Sequence, residues 1–190
     1  ERIRKSVQAL QAKPYHSILD VGCNKKETLK FLPSPIDYVG LDGIYGDQID
    51  GGFNLYRKFD RILCLETLEH LTKPQSTLDA ICNHLQKDGI LVVSLPNEAT
   101  LFHRIRCLLG IVDAECFSNQ GKHFHLPSLN QSREFLKFSG RLQIVAEEYY
   151  ISRSAVGSRQ HWVGKILFLL PKSIHNRLSE LLPSLFARGF

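Results

Sequence analysis

The stretch I-L-D-V-G-C-N, residues 18–24, is a short apolar run that stops at a glycine turn. V-G-L-D, residues 39–42, is a second such run and stops at an acid. Apolar runs of this length, closed by Gly or Asp-Gly, read as buried strands. Gly22 lets the backbone turn sharply and pass close to a neighbour. Gly22 and Asp42 lie 20 positions apart, and Asp20 and Asp42 lie 22 apart. An acid at the end of the second strand, at about that spacing, suits the paired hydroxyls of a ribose. The pattern places a nucleoside across the carboxyl ends of two adjacent strands.

Working outward, residues 2–12 present Ile3, Val7 and Leu10 on one helical face, and Pro14 ends that helix. Residues 25–32 read as a helix stopped by Pro33 and Pro35. Residues 43–58, rich in Gly, Asp and Asn, fit no periodic pattern. F-D-R-I-L-C-L (59–65) and I-L-V-V-S-L (90–95) are further strands, with a helix over 75–86 and a Lys87-Asp88-Gly89 turn between them. Residues 101–109 read as a helix. So do residues 128–139, with Ser128 as N-cap and Gly140 past the end. Leu142 to Tyr150 reads as a strand, and a last helix lies between Pro171 and Pro183. Continuous apolar strands alternating with helices predict an α/β fold: a doubly wound, mostly parallel sheet covered on both faces.

The 190 residues suit one domain. Residues 1–97 form its cofactor-binding half, and 98–140 with 151–190 supply a substrate cap. No apolar run approaches the roughly 18 to 20 residues of a membrane span. Cys23, Cys64, Cys82, Cys107 and Cys116 are odd in number and include no C-x-x-C pair. That argues against a disulfide framework and a zinc site, and fits a reducing, cytoplasmic setting. The net charge of +5 arises entirely after residue 150, where six Lys/Arg face Glu180 alone. The balanced remainder speaks against a nucleic-acid-binding core. The basic, apolar tail suits a peripheral membrane contact or an anionic substrate.

Five segments in order resemble the class I S-adenosylmethionine-dependent methyltransferases. I-L-D-V-G-C-N resembles their first motif, and V-G-L-D their ribose-binding strand. F-D-R-I-L-C-L-E-T-L-E-H-L (59–71) is similar to their strand-four signature. L-Q-K-D-G-I-L-V-V-S-L-P-N (85–97) is similar to their fifth strand, and residues 123–140 to the helix-plus-Gly segment before the sixth. The resemblance implies S-adenosylmethionine as methyl donor and S-adenosylhomocysteine as product. It places Asp20, Gly22, Cys23 and Asn24 along the methionine moiety, and Asp42 with Gly43 on the ribose. It places Phe53 and Asn54 by the adenine, and Leu65 and Glu66 beside the sulfonium. The acceptor it implies is a small molecule, a sugar or a lipid-linked intermediate. One departure stands out: the family's G-x-G has become Gly22-Cys23-Asn24, followed by Lys25-Lys26. Asn tolerates the left-handed backbone that such a turn needs. The lysines could crowd the methionine end.

His70 lies at the carboxyl edge of the sheet and is a candidate general base. His123 and His125, two apart, fall on one side of an extended segment. They are candidates for a substrate-facing loop and lack a third ligand of obvious spacing for a metal. Three rivals remain. A nicotinamide oxidoreductase would need G-x-G-x-x-G, of which positions 22, 24 and 27 (Gly, Asn, Glu) keep one. A non-catalytic relative would keep the fold with a degenerate cofactor loop. An RNA methyltransferase would use the basic tail on phosphates.

Overall fold

The computed structural model describes residues 2–97, 99–110, 124–125, 127–149 and 181–182. The chain divides into two compact units, Glu1–Leu95 with Phe135–Gln143 and Pro96–Glu134 with Ile144–Phe190. The first holds a four-stranded sheet of β1 (Ser17–Val21), β2 (Asp37–Leu41), β3 (Phe59–Leu65) and β4 (Leu85–Ser94). The order is β2-β1-β3-β4 and every pairing is parallel. The chain leaves β1 for one neighbour, then crosses back to the other. The carboxyl ends of β1 and β3 thus form a switch point, where ligands of open α/β sheets bind.

Helix α1 (Arg2–Ala9) has eight residues, too few to be stable alone. It stays because Val7 and Leu10 are buried against Ile18 of β1 and Leu63 of β3. Burying an aliphatic side chain contributes about 2 kcal/mol, against about 1 kcal/mol or less for an exposed ion pair. Packing therefore outweighs the Arg2–Glu66 pair at the helix start. Registered residues of parallel strands share a face, so Leu19, Ile62 and Cys64 point the other way. All three are fully buried, and both faces are covered as expected. α2 (Pro74–His84) opens on a proline, which is pre-set for a first helical turn, and buries Leu78 and Ile81 completely.

The expected helix over 25–32 is a short 3-10 helix, Glu27–Phe31. Lys26 before it is left-handed (φ 56°), and Leu32 after it is extended, as a residue before proline prefers. The Lys87-Asp88-Gly89 turn lies within β4: Phe59 pairs with Leu85 but Arg61 with Ile90, so the turn bulges out of the ladder. Residues 43–58 form no strand. Instead residues 49–55 run along α2 as a strap. Asp50 accepts hydrogen bonds from the Thr72 and Lys73 amides, and the Ile49 carbonyl from the Thr77 hydroxyl. The Leu55 amide donates to His84 Nε2.

In the second unit α3 spans Leu101–Leu108. α4 spans Leu129–Phe138, of which residues up to Glu134 belong to the second unit and those from Phe135 to the first, and starts at a capping box: Gln131 N–H bonds Ser128 Oγ, and Ser128 N–H bonds Gln131 Oε1 at 2.9 Å. Ser128 and Gly140 (φ 62°) close the helix as expected. The strand expected over 142–150 is a correction: residues 142–149 take no sheet partner, and Val145 is 84% exposed. β propensity needs an edge to pair with. Here Glu147 and Tyr149 serve Arg133 instead, with Glu147 gripping the guanidinium at 2.8 and 2.7 Å. The helix expected between Pro171 and Pro183 falls outside the described residues, apart from Leu181 and Leu182.

Candidate functional site

Gly22 follows β1 with φ 77°, a conformation that costs a side-chain-bearing residue. Its second constraint is space. A Cβ there would lie 1.9 Å from Thr67 Oγ1. Thr67, just past β3, donates its hydroxyl to the carbonyls of Val21 (3.2 Å) and Leu65 (3.0 Å). What closes in on the glycine is thus a protein side chain that bridges the ends of β1 and β3. Thr67 escaped the sequence reading, since only the register of β1 with β3 brings it there.

The loop continues with Asn24 (φ 43°) and Lys26 (φ 56°), both left-handed. Each such non-glycine residue costs about 1 to 2 kcal/mol, so other contacts must hold them. Asp42 is the chief one. Its Oδ2 accepts the Asn24 amide at 2.7 Å, and its Oδ1 the Ile44 amide at 3.0 Å. The Asp42 amide in turn bonds Asp47 at 2.9 Å. One carboxylate thus ties the loop after β1 to the turn after β2. A carboxylate offers about four lone-pair sites, so each oxygen keeps one acceptor position after these bonds. That pair of acceptors fits two vicinal hydroxyls, each donating to one oxygen. Gly43 beside it has no heavy atom within 4 Å of where a Cβ would stand, so backbone approach there is unobstructed by the protein.

Asp20 and Cys23 face inward. Asp20 is buried and accepts the hydroxyls of Thr28 (2.5 Å) and Tyr38 (2.8 Å). Burial pushes its carboxyl up, and the two hydroxyls pull it partly back. It braces β1 against the Glu27–Phe31 turn and β2 through hydroxyls rather than loop amides. The Cys23 thiol is buried over Gly40, where a Cβ would come within 2.8 Å of the sulfur. Burial and the nearby Asp20 push that thiol up to about 11, so it is no nucleophile near neutral pH. The Cys23 amide bonds the Leu41 carbonyl, and its own carbonyl accepts from Lys26.

Leu65 ends β3. Glu66 after it is left-handed (φ 50°); its amide bonds Ser94, its Oε1 accepts the Ser94 hydroxyl at 2.9 Å, and its Oε2 pairs with Arg2 at 3.1 Å. His70 closes the 3-10 turn after β3, with its amide on the Thr67 carbonyl. Phe53 stacks obliquely on His84 at 5.1 Å, and Asn54 Oδ1 accepts the Tyr56 amide. His84 Nδ1 faces the Ala80 carbonyl at 2.7 Å, so it carries the proton and Nε2 receives Leu55 N–H. His125 is exposed, while His123 lies outside the described residues. Among the described residues no cluster of three His, Cys, Asp or Glu could hold a metal. The first unit therefore gathers Asp20, Gly22, Cys23, Asn24, Asp42, Gly43, Leu65, Glu66 and His70 at the carboxyl ends of its strands.

Residues 1–140 match the family described as "Methyltransferase domain". This chain belongs to that family. A ubiquinone biosynthesis O-methyltransferase from Glaesserella parasuis is 30% identical over 115 residues, 57% of this chain and 45% of that protein. The chain thus spans under half the length of this curated relative. In solved structures the fold recurs in the YcgJ protein of Bacillus subtilis (TM-score 0.58, 11% identity, 99% of this chain and 92% of that one). It recurs also in a complex of the Trm112 methyltransferase activator with a methyltransferase from Haloferax volcanii (TM-score 0.59, 15% identity, 83% and 76%). At these identities the likeness concerns the fold.

Proposed function

We propose that this methyltransferase domain methylates a hydroxyl or amine on a small-molecule, sugar or lipid-linked acceptor. The observation that carries the cofactor half is the Asp42 carboxylate, fixed by two amides with acceptor capacity to spare. Asp42 and Gly43 would hold the ribose, and Asn24 with the loop backbone the methionine end; Phe53 and Asn54, expected by the adenine, lie instead beside His84 at the end of α2, where β3 begins, and are not assigned to the cofactor. Cys23 contributes by packing. When bound, S-adenosylmethionine supplies a methyl group already activated on a sulfonium. The protein is then left to align the acceptor and, for a hydroxyl or amine, to take its proton. His70 is our candidate for that base, with His123 and His125 as candidates on the acceptor side. The balanced charge of residues 1–150 and the relative named for ubiquinone biosynthesis favour a small acceptor over nucleic acid. The cysteine usage favours the cytoplasm. Among the described residues no helix is long and apolar enough to cross a membrane. The basic segment 151–190 lies almost wholly outside the described residues, and a peripheral membrane contact there is part of the proposal.

Calorimetry with S-adenosylmethionine and S-adenosylhomocysteine tests the cofactor half, and micromolar binding of both is expected. No binding by folded protein would favour a non-catalytic member of the family, a reading motivated by the left-handed Asn24 and Lys26. The acceptor half is tested by transfer of labelled methyl to catechol-like, sugar and lipid-linked acceptors. Replacing His70 by Ala should then lower turnover at least 100-fold while leaving S-adenosylhomocysteine affinity within about twofold. An unchanged turnover removes His70 from the mechanism.

A further inference from the structure

The loop after β1 does without the glycines its shape calls for, and the structure shows what takes their place. Asn24 and Lys26 are both left-handed, and both meet Tyr45, which lies in the 3-10 turn after β2 (Gly43–Tyr45). The Tyr45 hydroxyl donates to the Asn24 carbonyl at 2.8 Å. Lys26 Nζ lies over the Tyr45 ring, 4.7 Å from its centre, within the range of a cation–π contact. Asn24 is therefore held from two sides: its amide by Asp42 and its carbonyl by Tyr45. The same contact draws the Lys26 ammonium onto an aromatic face. Tyr45 is 52% exposed and takes no part in the core, so its ties are to this loop rather than to the sheet.

We propose that Tyr45 is a positioning residue for the cofactor loop: it latches Asn24 and Lys26 in the left-handed backbone that glycines would adopt unaided, and so keeps the loop joined to Asp42. The inference rests on the cofactor assignment above for its effect on affinity, but not for the latch itself. The latch makes one demand that a merely structural tyrosine would not. Glycine at 24 and 26 should make it dispensable.

The test compares Tyr45→Phe, Tyr45→Ala and Tyr45→Ala combined with Asn24→Gly and Lys26→Gly. Two readouts are taken: calorimetric affinity for S-adenosylhomocysteine, and amide hydrogen exchange at residue 24 in the cofactor-free protein. Tyr45→Phe keeps the ring and loses the hydrogen bond, so affinity should fall about fivefold. Tyr45→Ala loses both contacts and should fall further, with faster exchange at residue 24 and little change in melting temperature. The triple variant should regain most of the amide protection, the readout that does not depend on the Asn24 side chain. Unchanged affinity and exchange in Tyr45→Ala would overturn the latch. So would failure of the glycines to restore the protection at residue 24. If wild-type protein binds no S-adenosylhomocysteine, the cofactor assignment fails, and exchange at residue 24 alone decides the latch.

Discussion

Asp42 carries two amides and would still accept from a ribose, so Asp42→Ala removes an anchor and a ligand together. Charge-assisted hydrogen bonds are worth about 1.5 to 3 kcal/mol, so S-adenosylhomocysteine affinity should drop about 10- to 100-fold by calorimetry. Unchanged affinity would remove Asp42 from the ribose. Gly22→Ala meets two obstacles, a left-handed backbone and the Thr67 side chain in the space a Cβ needs. Overpacking costs about 1 to 3 kcal/mol, and the conformation about 1 to 2 more. Denaturant unfolding should show a loss of about 3 kcal/mol. Adding Thr67→Ala should recover part of it, since two of the three close atoms, Oγ1 and Cγ2, disappear. Asp42 and Gly22 were legible in the sequence because an acid and a glycine that close apolar runs mark themselves by residue type and position. Thr67 and Tyr45 were not, because their partners lie 46 and 21 positions away.

Among the elements, the four strands stood out as apolar runs bounded by turn residues, and the structure keeps all four. The strap over 49–55 did not stand out. Its backbone is fixed by single polar tethers at Asp50, Thr77 and His84, which leave no periodic trace. Asp50 fixes the two residues just before α2, accepting the Thr72 and Lys73 amides and the Thr72 hydroxyl. Asp50→Ala should cost about 1 kcal/mol, read as a lowered urea midpoint. The pH dependence follows from the same contacts. Bonds from Thr72 hold the Asp50 carboxyl below its ordinary value, and bonds from Ser17 do so for Asp60. A depressed native carboxyl adds stability above its unfolded value, and that stability is lost as pH falls through the native value. Stability to heat should therefore fall below about pH 4. Replacing both with Asn should flatten the slope there. Asp20, raised by burial, works in the opposite sense and partly offsets them.

For the whole molecule, a ligand that binds only the folded chain stabilises it by mass action. At 100 times its dissociation constant, S-adenosylhomocysteine should contribute about 2.7 kcal/mol. For a chain of this size that is a rise of about 5 to 10 °C in melting temperature. A melting point indifferent to the ligand would contradict the cofactor assignment. The fold class could be read because strand–helix alternation admits few topologies. The acceptor could not, because family resemblance locates the shared cofactor and leaves the second substrate to variable segments.

The strap has a consequence for the order in which the first unit comes into being. During synthesis residues 49–55 leave the ribosome before the residues that secure them, the last of which is His84, whereas the Asp42 turn is tied only to residues made before it or within a few residues after it. The strap is therefore unfastened on any nascent chain that stops short of α2, while the Asp42 turn already has its tethers.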